Sequence, residues 1–234
     1  MMAKEKQHVH EDVFSRITKK IEQFISRHLK TILISISAAV VLVAAYFSVD
    51  YYIKKKQQDA LAAFEKVYRV YTELTNDQDL SDEEKEKELF VLTEDFQLVM
   101  DTYPDSKAAA KSAYYAGNIL LDGEKYEQAA EYYQIGSRID KKYYVSFLCL
   151  QKLAICYEQL DGLEKAAQTY QEIRDEYEDT YIIPTVLFNL GQVFEKQDKL
   201  EKADEQYSLI LKSYQWSSWK DLAEKRQLLL KNFM

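Results

Sequence analysis

AYYAGNILLDGEKYEQAAEYY (113–133), LQKLAICYEQLDGLEKAAQTY (150–170) and LFNLGQVFEKQDKLEKADEQY (187–207) superimpose at a spacing of 37 residues. Gly117, Ala154 and Gly191 coincide, as do Leu120, Tyr157 and Phe194. So do Tyr126, Leu163 and Leu200, then Ala129, Ala166 and Ala203, then Tyr133, Tyr170 and Tyr207. Self-similarity at a fixed period of about 20–50 residues marks a stack of repeated supersecondary units. Each slot has a physical reason. A small residue in mid-helix lets the partner helix approach closely. The alanine twelve positions later is where the second helix presses back, and the aromatic rings fill the gaps between successive pairs. Phe96 lies 37 residues before Tyr133, so a divergent unit precedes the three.

Working outward, the chain turns in three or four residues at Asp122-Gly123, Asp161-Gly162 and Asp198-Lys199. Asp161 with Glu164, and Asp198 with Glu201, have the spacing of an N-cap and its reciprocal acid. Ser81-Asp82-Glu83-Glu84 is a capping-box candidate, inside an acidic run (75–88) read as a solvated loop and helix start. Pro104 stops the helix before it, and Pro184 suits a first helical turn. Apolar periodicity predicts helices over about 11–29, 30–56, 57–76, 82–102, 107–121, 125–139, 142–159, 163–178, 183–196, 200–214 and 217–232. The last, with Trp219, Leu222, Leu228 and Leu229, is expected to cap the open end of the stack, with Trp216 packing there too.

Composition agrees with an all-helical chain. Among 234 residues there are only 5 Gly and 2 Pro, while 19 Tyr and 10 Phe supply large rings for helix packing. Residues 1–56 carry ten Lys/Arg against five Asp/Glu, whereas 57–234 carry 21 against 34. The acidic second part argues against a nucleic-acid partner. Cys149 and Cys156, seven residues apart on one helix, stand about 10 Å apart. That is beyond the roughly 7 Å a disulfide allows, so both read as small buried residues.

TILISISAAVVLVAAYFSV (31–49) carries no charge and is close to the roughly 20 residues that cross a bilayer. Arg27 and Lys30 bound it on one side, Asp50 and Lys54, Lys55 and Lys56 on the other. Tyr46, Phe47, Tyr51 and Tyr52 sit where an interfacial aromatic belt belongs. A cleaved signal peptide has a shorter apolar core and a short basic lead. Thirty residues precede this run, so an uncleaved anchor is expected. Seven Lys/Arg precede the span (Lys4, Lys6, Arg16, Lys19, Lys20, Arg27 and Lys30) and three follow it. This bias places the N-terminus in the cytoplasm and residues 50–234 outside. Val13, Phe14, Ile17, Ile21, Phe24, Ile25 and Leu29 recur at helical spacing with a basic opposite face. That pattern fits a helix on the inner leaflet, a docking helix, or a lead-in to the span.

The small residue, the alanine twelve later and the aromatic four after that resemble the tetratricopeptide repeat. The departures are a 37-residue period in place of about 34, and Ala113, Leu150 or Leu187 where a Trp is common. The extra residues fall between pairs, as in YPDSKAA. The fold expected is therefore all-α: a single N-terminal transmembrane helix followed by a tetratricopeptide-like α-solenoid. Its parts are a cytoplasmic basic amphipathic segment (1–30), the span (31–49), a juxtamembrane helix with a divergent first pair (50–104), three helix pairs (105–216) and a capping helix (217–234). Gly117, Ala129, Tyr133, Ala154, Ala166, Tyr170, Gly191, Ala203 and Tyr207 pack the repeats.

His8, His10 and His28 all precede the span, so the soluble part has no histidine. A Ser-His-Asp or Cys-His pair is excluded there, as is a His-rich zinc site. No P-loop, GxGxxG or HExxH occurs. His8-x-His10 offers only two ligands. No enzyme activity, metal or cofactor is expected, which leaves binding. The resemblance implies that the first helix of each pair lines a concave groove. That face carries Lys111, Tyr114, Asn118, Leu148, Gln151, Ile155, Glu158, Phe188, Gln192 and Glu195. The mixture of rings, aliphatics and amides suits an extended or helical peptide, unless the terminal helix or residues 57–102 cover part of it.

A basic tail, one span, the juxtamembrane helix YYIKKKQQDALAAFEKVY and then AAAKSAYYAGNILLDGEKYEQAAEYY together resemble the bacterial YfgM-type ancillary subunit of the SecYEG translocon. The resemblance implies an inner-membrane protein with its soluble domain in the periplasm. It implies a chaperone-like role beside the translocon, with a membrane-bound prolyl isomerase–type chaperone and client proteins as partners. The alternative is a scaffold for another envelope assembly, such as outer-membrane biogenesis or division.

Overall fold

A computed structural model describes residues 2–177 and 181–232, with side chains from Phe14 onward. The side chains of His8, His10 and Val13, and residue 178 of the expected 163–178 helix, lie outside the described residues. Among the described residues there are nine helices and no strand. They are α1 (Met2–Asn76), α2 (Asp82–Thr102), α3 (Lys107–Asp122), α4 (Tyr126–Ile139), α5 (Tyr144–Gln159), α6 (Leu163–Glu176), α7 (Ile183–Lys196), α8 (Leu200–Ser213) and α9 (Lys220–Leu230).

The three segments expected over 11–29, 30–56 and 57–76 are one helix. No Gly or Pro occurs before Pro104, so nothing interrupts the backbone ladder. Contacts divide the chain into two units, Met1–Lys55 and Lys56–Met234. The helix α1 is long and apolar enough to cross a membrane, with none of its most apolar window buried. Helix is the conformation that satisfies every backbone polar group of such a run internally.

The second unit is a tetratricopeptide-like α-solenoid. From α2 to α9 each helix packs on the next, and α3 also meets α5. Ser81 caps α2 as expected: its hydroxyl accepts from the Glu84 amide at 3.3 Å, and the Glu84 carboxylate accepts from the Ser81 amide at 3.0 Å. Ser106 does the same at α3, accepting from the Ala109 amide at 3.0 Å. Pro184 lies in the first turn of α7.

Asp161 and Asp198 are not N-caps. The cap positions are Gly162 and Lys199, without side-chain bonds. Glu124, Asp161 and Asp198 instead adopt left-handed backbone, with φ of 56°, 56° and 59°. They fall at the same 37-residue spacing as the helices they join. The following amide reaches five residues back in each turn: Lys125 to the Leu120 carbonyl (2.8 Å), Gly162 to Tyr157 (2.8 Å) and Lys199 to Phe194 (2.9 Å). This is the Schellman closure, which needs one residue at positive φ. It ends one helix and aims the next, so the acid serves the preceding C-terminus. Glu164 is thereby released to the following repeat, accepting from Gln197 Nε2 at 3.0 Å and Lys199 Nζ at 3.3 Å.

The core runs between helix pairs. Tyr133, Tyr170 and Tyr207 are fully buried, as are Ala129, Ala154, Ala166 and Ala203. A β-carbon on Gly117 would stand 2.6 Å from Tyr133 Cε1, and one on Gly191 2.6 Å from Tyr207 Cε1. Both glycines are therefore dictated by ring contact. The α1 residues Ala60 and Phe64 join Phe96, Ala116 and Ile119 in a core of their own. Phe64, Tyr68, Tyr71, Phe96 and Tyr115 interlock there, the closest centroids being those of Tyr68 and Tyr115 at 4.8 Å. Cys149 and Cys156 are buried free thiols. Burial pushes the Cys156 thiol up to about 11 and raises Cys149 as well.

The expectation for the terminal cap needs correcting. Trp216 is 68% exposed, and Leu222, Leu228 and Leu229 are exposed too. An 11-residue helix laid against α8 and the edge of α7 turns only one side inward. In α9 that stripe holds Ala223 and Leu230, with Trp219 packed at its start.

Candidate binding face on the first helices of the repeats

Because α3, α5 and α7 share one register, their side chains fall in rows. Lys111, Leu148 and Thr185 form one row, and Tyr114, Gln151 and Phe188 the next. Asn118, Ile155 and Gln192 form a third, and Leu121, Glu158 and Glu195 a fourth. Tyr114, Asn118, Gln151, Ile155 and Gln192 are half-buried. The other five members of the expected groove, and the side-chain oxygen of Asn118, are engaged by the protein itself.

Glu158 and Glu195, one repeat apart, have matching roles. The Tyr170 hydroxyl donates to Glu158 Oε1 at 3.0 Å, and Lys196 Nζ reaches its other oxygen at 2.8 Å. The Tyr207 hydroxyl donates to Glu195 Oε1 at 2.5 Å, and Arg226 engages both oxygens of that carboxylate. Each carboxylate thus joins the second helix of its own repeat to a cation from the next element. Their side chains are 14% exposed, where charge-assisted bonds are stronger than at an open surface. The Glu195 contact raises the Arg226 pKa. Burial raises the phenols of Tyr170 and Tyr207. In the first repeat Asn118 accepts from the Tyr133 hydroxyl at 2.7 Å.

Phe188 is 6% exposed. Its ring lies 4.6 Å from Trp219 and 5.5 Å from Tyr207. The indole nitrogen of Trp219 donates to Thr185 Oγ1 at 2.7 Å. The terminal segment therefore covers the first two rows in the third repeat. At the other end Lys111 Nζ sits 5.1 Å over the Phe64 ring of α1. Leu148 packs against the main core cluster.

Sequence reasoning missed Thr185, Lys196, Trp219 and Arg226 as partners of this face. Thr185 was legible from the 37-residue register of Lys111 and Leu148. The others arrive from outside that register, and nothing in their spacing announces the contact. Among the described residues no group of three or more His, Cys, Asp and Glu is placed to hold a metal.

Residues 149–180 and 185–215 each match the tetratricopeptide repeat family. These segments are the second and third helix pairs. No curated protein matches the chain. Among solved structures the chain is similar to one titled "MamA RS-1 ArsTM double mutant", at 15% identity and a TM-score of 0.45. That likeness covers 69% of this chain and 93% of that one. The chain is also similar to one titled "Crystal Structure of the Apo Form of RapI", at 17% identity and a TM-score of 0.48. It covers 74% of this chain and 54% of that one.

Proposed function

We propose that this chain is a membrane-anchored protein–protein interaction module, serving as a chaperone-like accessory subunit of the Sec protein-export machinery. One observation carries the reading: a single chain joins an exposed membrane-length apolar helix to tetratricopeptide repeats. The tetratricopeptide fold is that of a module for binding proteins. Tyr114, Asn118, Gln151, Ile155 and Gln192 receive an extended or helical segment of a client. Tyr114 is the aromatic anchor, and the amides pair with the client backbone. Phe188, Glu158 and Glu195 act from behind, holding the repeats that present the face.

The translocon side of the reading is supported by the layout shared with the YfgM-type subunits, which brings SecYEG and a membrane-bound prolyl isomerase–type chaperone as partners. The Lys/Arg bias supports an N-terminus in the cytoplasm of a bacterium and a periplasmic solenoid.

Photo-reactive residues at Tyr114 and Gln151, used in intact membranes, test it. Adducts with translocon subunits and emerging chains are expected at both positions. Adducts confined to one fixed envelope protein overturn the export role and favour a scaffold for outer-membrane biogenesis or division. Absence of protein adducts at both positions overturns the binding face.

A further inference from the structure

Residues 14–30 of α1 have a use that the repeats do not explain. At about 100° per residue, Phe14, Ile17, Ile21, Phe24, Ile25 and Leu29 leave one side of the helix. All six are exposed, from 74% at Phe14 to 44% at Ile25. The His28 ring joins them, 4.9 Å from Phe24. Arg16, Lys19, Lys20, Arg27 and Lys30 leave the opposite side, with Glu22 at the boundary. The Thr18 and Ser26 hydroxyls turn back on the carbonyls of Phe14 (2.8 Å) and Gln23 (3.0 Å), so they bring no unpaired polar group to the apolar edge.

We propose that residues 14–30 form an interfacial helix on an anionic lipid surface, the apolar arc among the acyl chains and the cations in the phosphate layer. This rests on reading 31–49 as membrane-crossing. The apolar run begins at Thr31, so the segment is tethered to the bilayer surface by the chain itself. Five cations against one acid complement anionic headgroups, each adding attraction within a screening length of the surface. A second copy packed on the arc would instead leave all five cations, on the opposite side, without counter-charge. The arc is also wider than a two-helix seam, which covers only the a and d positions and would leave Ile25 and Leu29 wet. In the structure α1 runs unbroken through Arg27–Thr31; lying flat on the bilayer requires about one turn there to open, which lets Arg27 and Lys30 snorkel to the phosphates.

The test uses the full chain in vesicles of phosphatidylcholine alone or with one third phosphatidylglycerol. A nitroxide is placed through Ile17→Cys, Ile21→Cys, Arg16→Cys, Gln23→Cys or Ala38→Cys, one at a time. Cys149 and Cys156 are buried, with raised thiol pKa values, and stay unlabelled. Collisions with oxygen are compared with collisions with a water-soluble nickel chelate. On anionic vesicles the oxygen-to-nickel ratio is expected to be several-fold higher at 17 and 21 than at 16 and 23. It should level out on neutral vesicles and in a Lys19→Glu, Lys20→Glu background. Equal ratios on anionic vesicles, with Ala38→Cys still rich in oxygen, overturn this proposal alone. Spin–spin broadening at 17 and 21 on both vesicle types, removed by unlabelled chain, assigns the arc to a second copy and overturns it too. A water-accessible Ala38→Cys overturns the span and this proposal together.

Discussion

The ring of Tyr207 lies so close under Gly191 that a β-carbon there would stand 2.6 Å from Cε1 and 2.7 Å from Cζ. Tyr133 lies the same way under Gly117. Ala154 holds the equivalent register position and is buried in the same core as Tyr170. Gly191→Ala and Gly117→Ala should each destabilise by about 1–3 kcal/mol, because a packed ring on a fixed helix cannot retreat. Ala154→Gly should cost about 1 kcal/mol from helix propensity alone. Thermal melts followed by circular dichroism in detergent would rank them. A Gly191→Ala variant as stable as the parent would contradict the contact.

Tyr133, Tyr170 and Tyr207 lose ionisability through burial, which raises all three above their ordinary value of 10.0. In the unfolded chain these phenols titrate near 10. Below that pH both states hold their protons and the contribution is complete. Above it the unfolded chain releases protons first, so stability falls as pH rises. Melting temperature should therefore decline above about pH 10. Tyr133→Phe, Tyr170→Phe and Tyr207→Phe should each make the decline shallower. Phenolate absorbance from these rings should appear with unfolding, in one transition.

Trp219 and Arg226 fasten α9 through Thr185, Phe188 and Glu195. Trp219→Ala should destabilise by about 2–4 kcal/mol, a little under the roughly 3–5 kcal/mol of a fully buried ring because Trp219 is half-buried. Since repeat stability is carried by nearest-neighbour interfaces, amide exchange should quicken in α9 and α7 while α3 and α4 keep their protection. Uniform quickening along the whole solenoid would refute that local reading.

Glu124 sits at φ 56° in an exposed turn. Glu124→Gly relieves a strained conformation, whereas Glu124→Val forces a β-branched side chain into it. The two variants should differ by at least about 1–2 kcal/mol, with Gly the more stable. Urea titration of both proteins measures the gap directly.

Much of the architecture was legible because repetition removes ambiguity. Expected and observed helices agree closely from α2 to α8, since three aligned copies each report the same turn. The caps were less legible. Asp161 followed by Glu164 has the composition of an N-cap, but the tight turn needs a left-handed residue first, and Asp tolerates that conformation. Leu222, Leu228 and Leu229 looked like a capping face because hydrophobicity reports what could be buried, not what neighbour is present to bury it.

For the proposed binding face, register identified which side of each first helix is shared, and so pointed to Tyr114, Gln151 and Ile155. It could not show that Phe188 lies beneath Trp219, or that Glu158 and Glu195 are held by Lys196 and Arg226. Those contacts join segments about 31–38 residues apart in sequence. What the sequence determined by itself was periodic: the helices, their small-residue contacts and the uncharged run at 31–49, each set by local spacing and side-chain size. What only the tertiary structure decided was which positions remain free. Occupancy depends on the path of neighbouring helices, and a one-dimensional pattern does not contain that path.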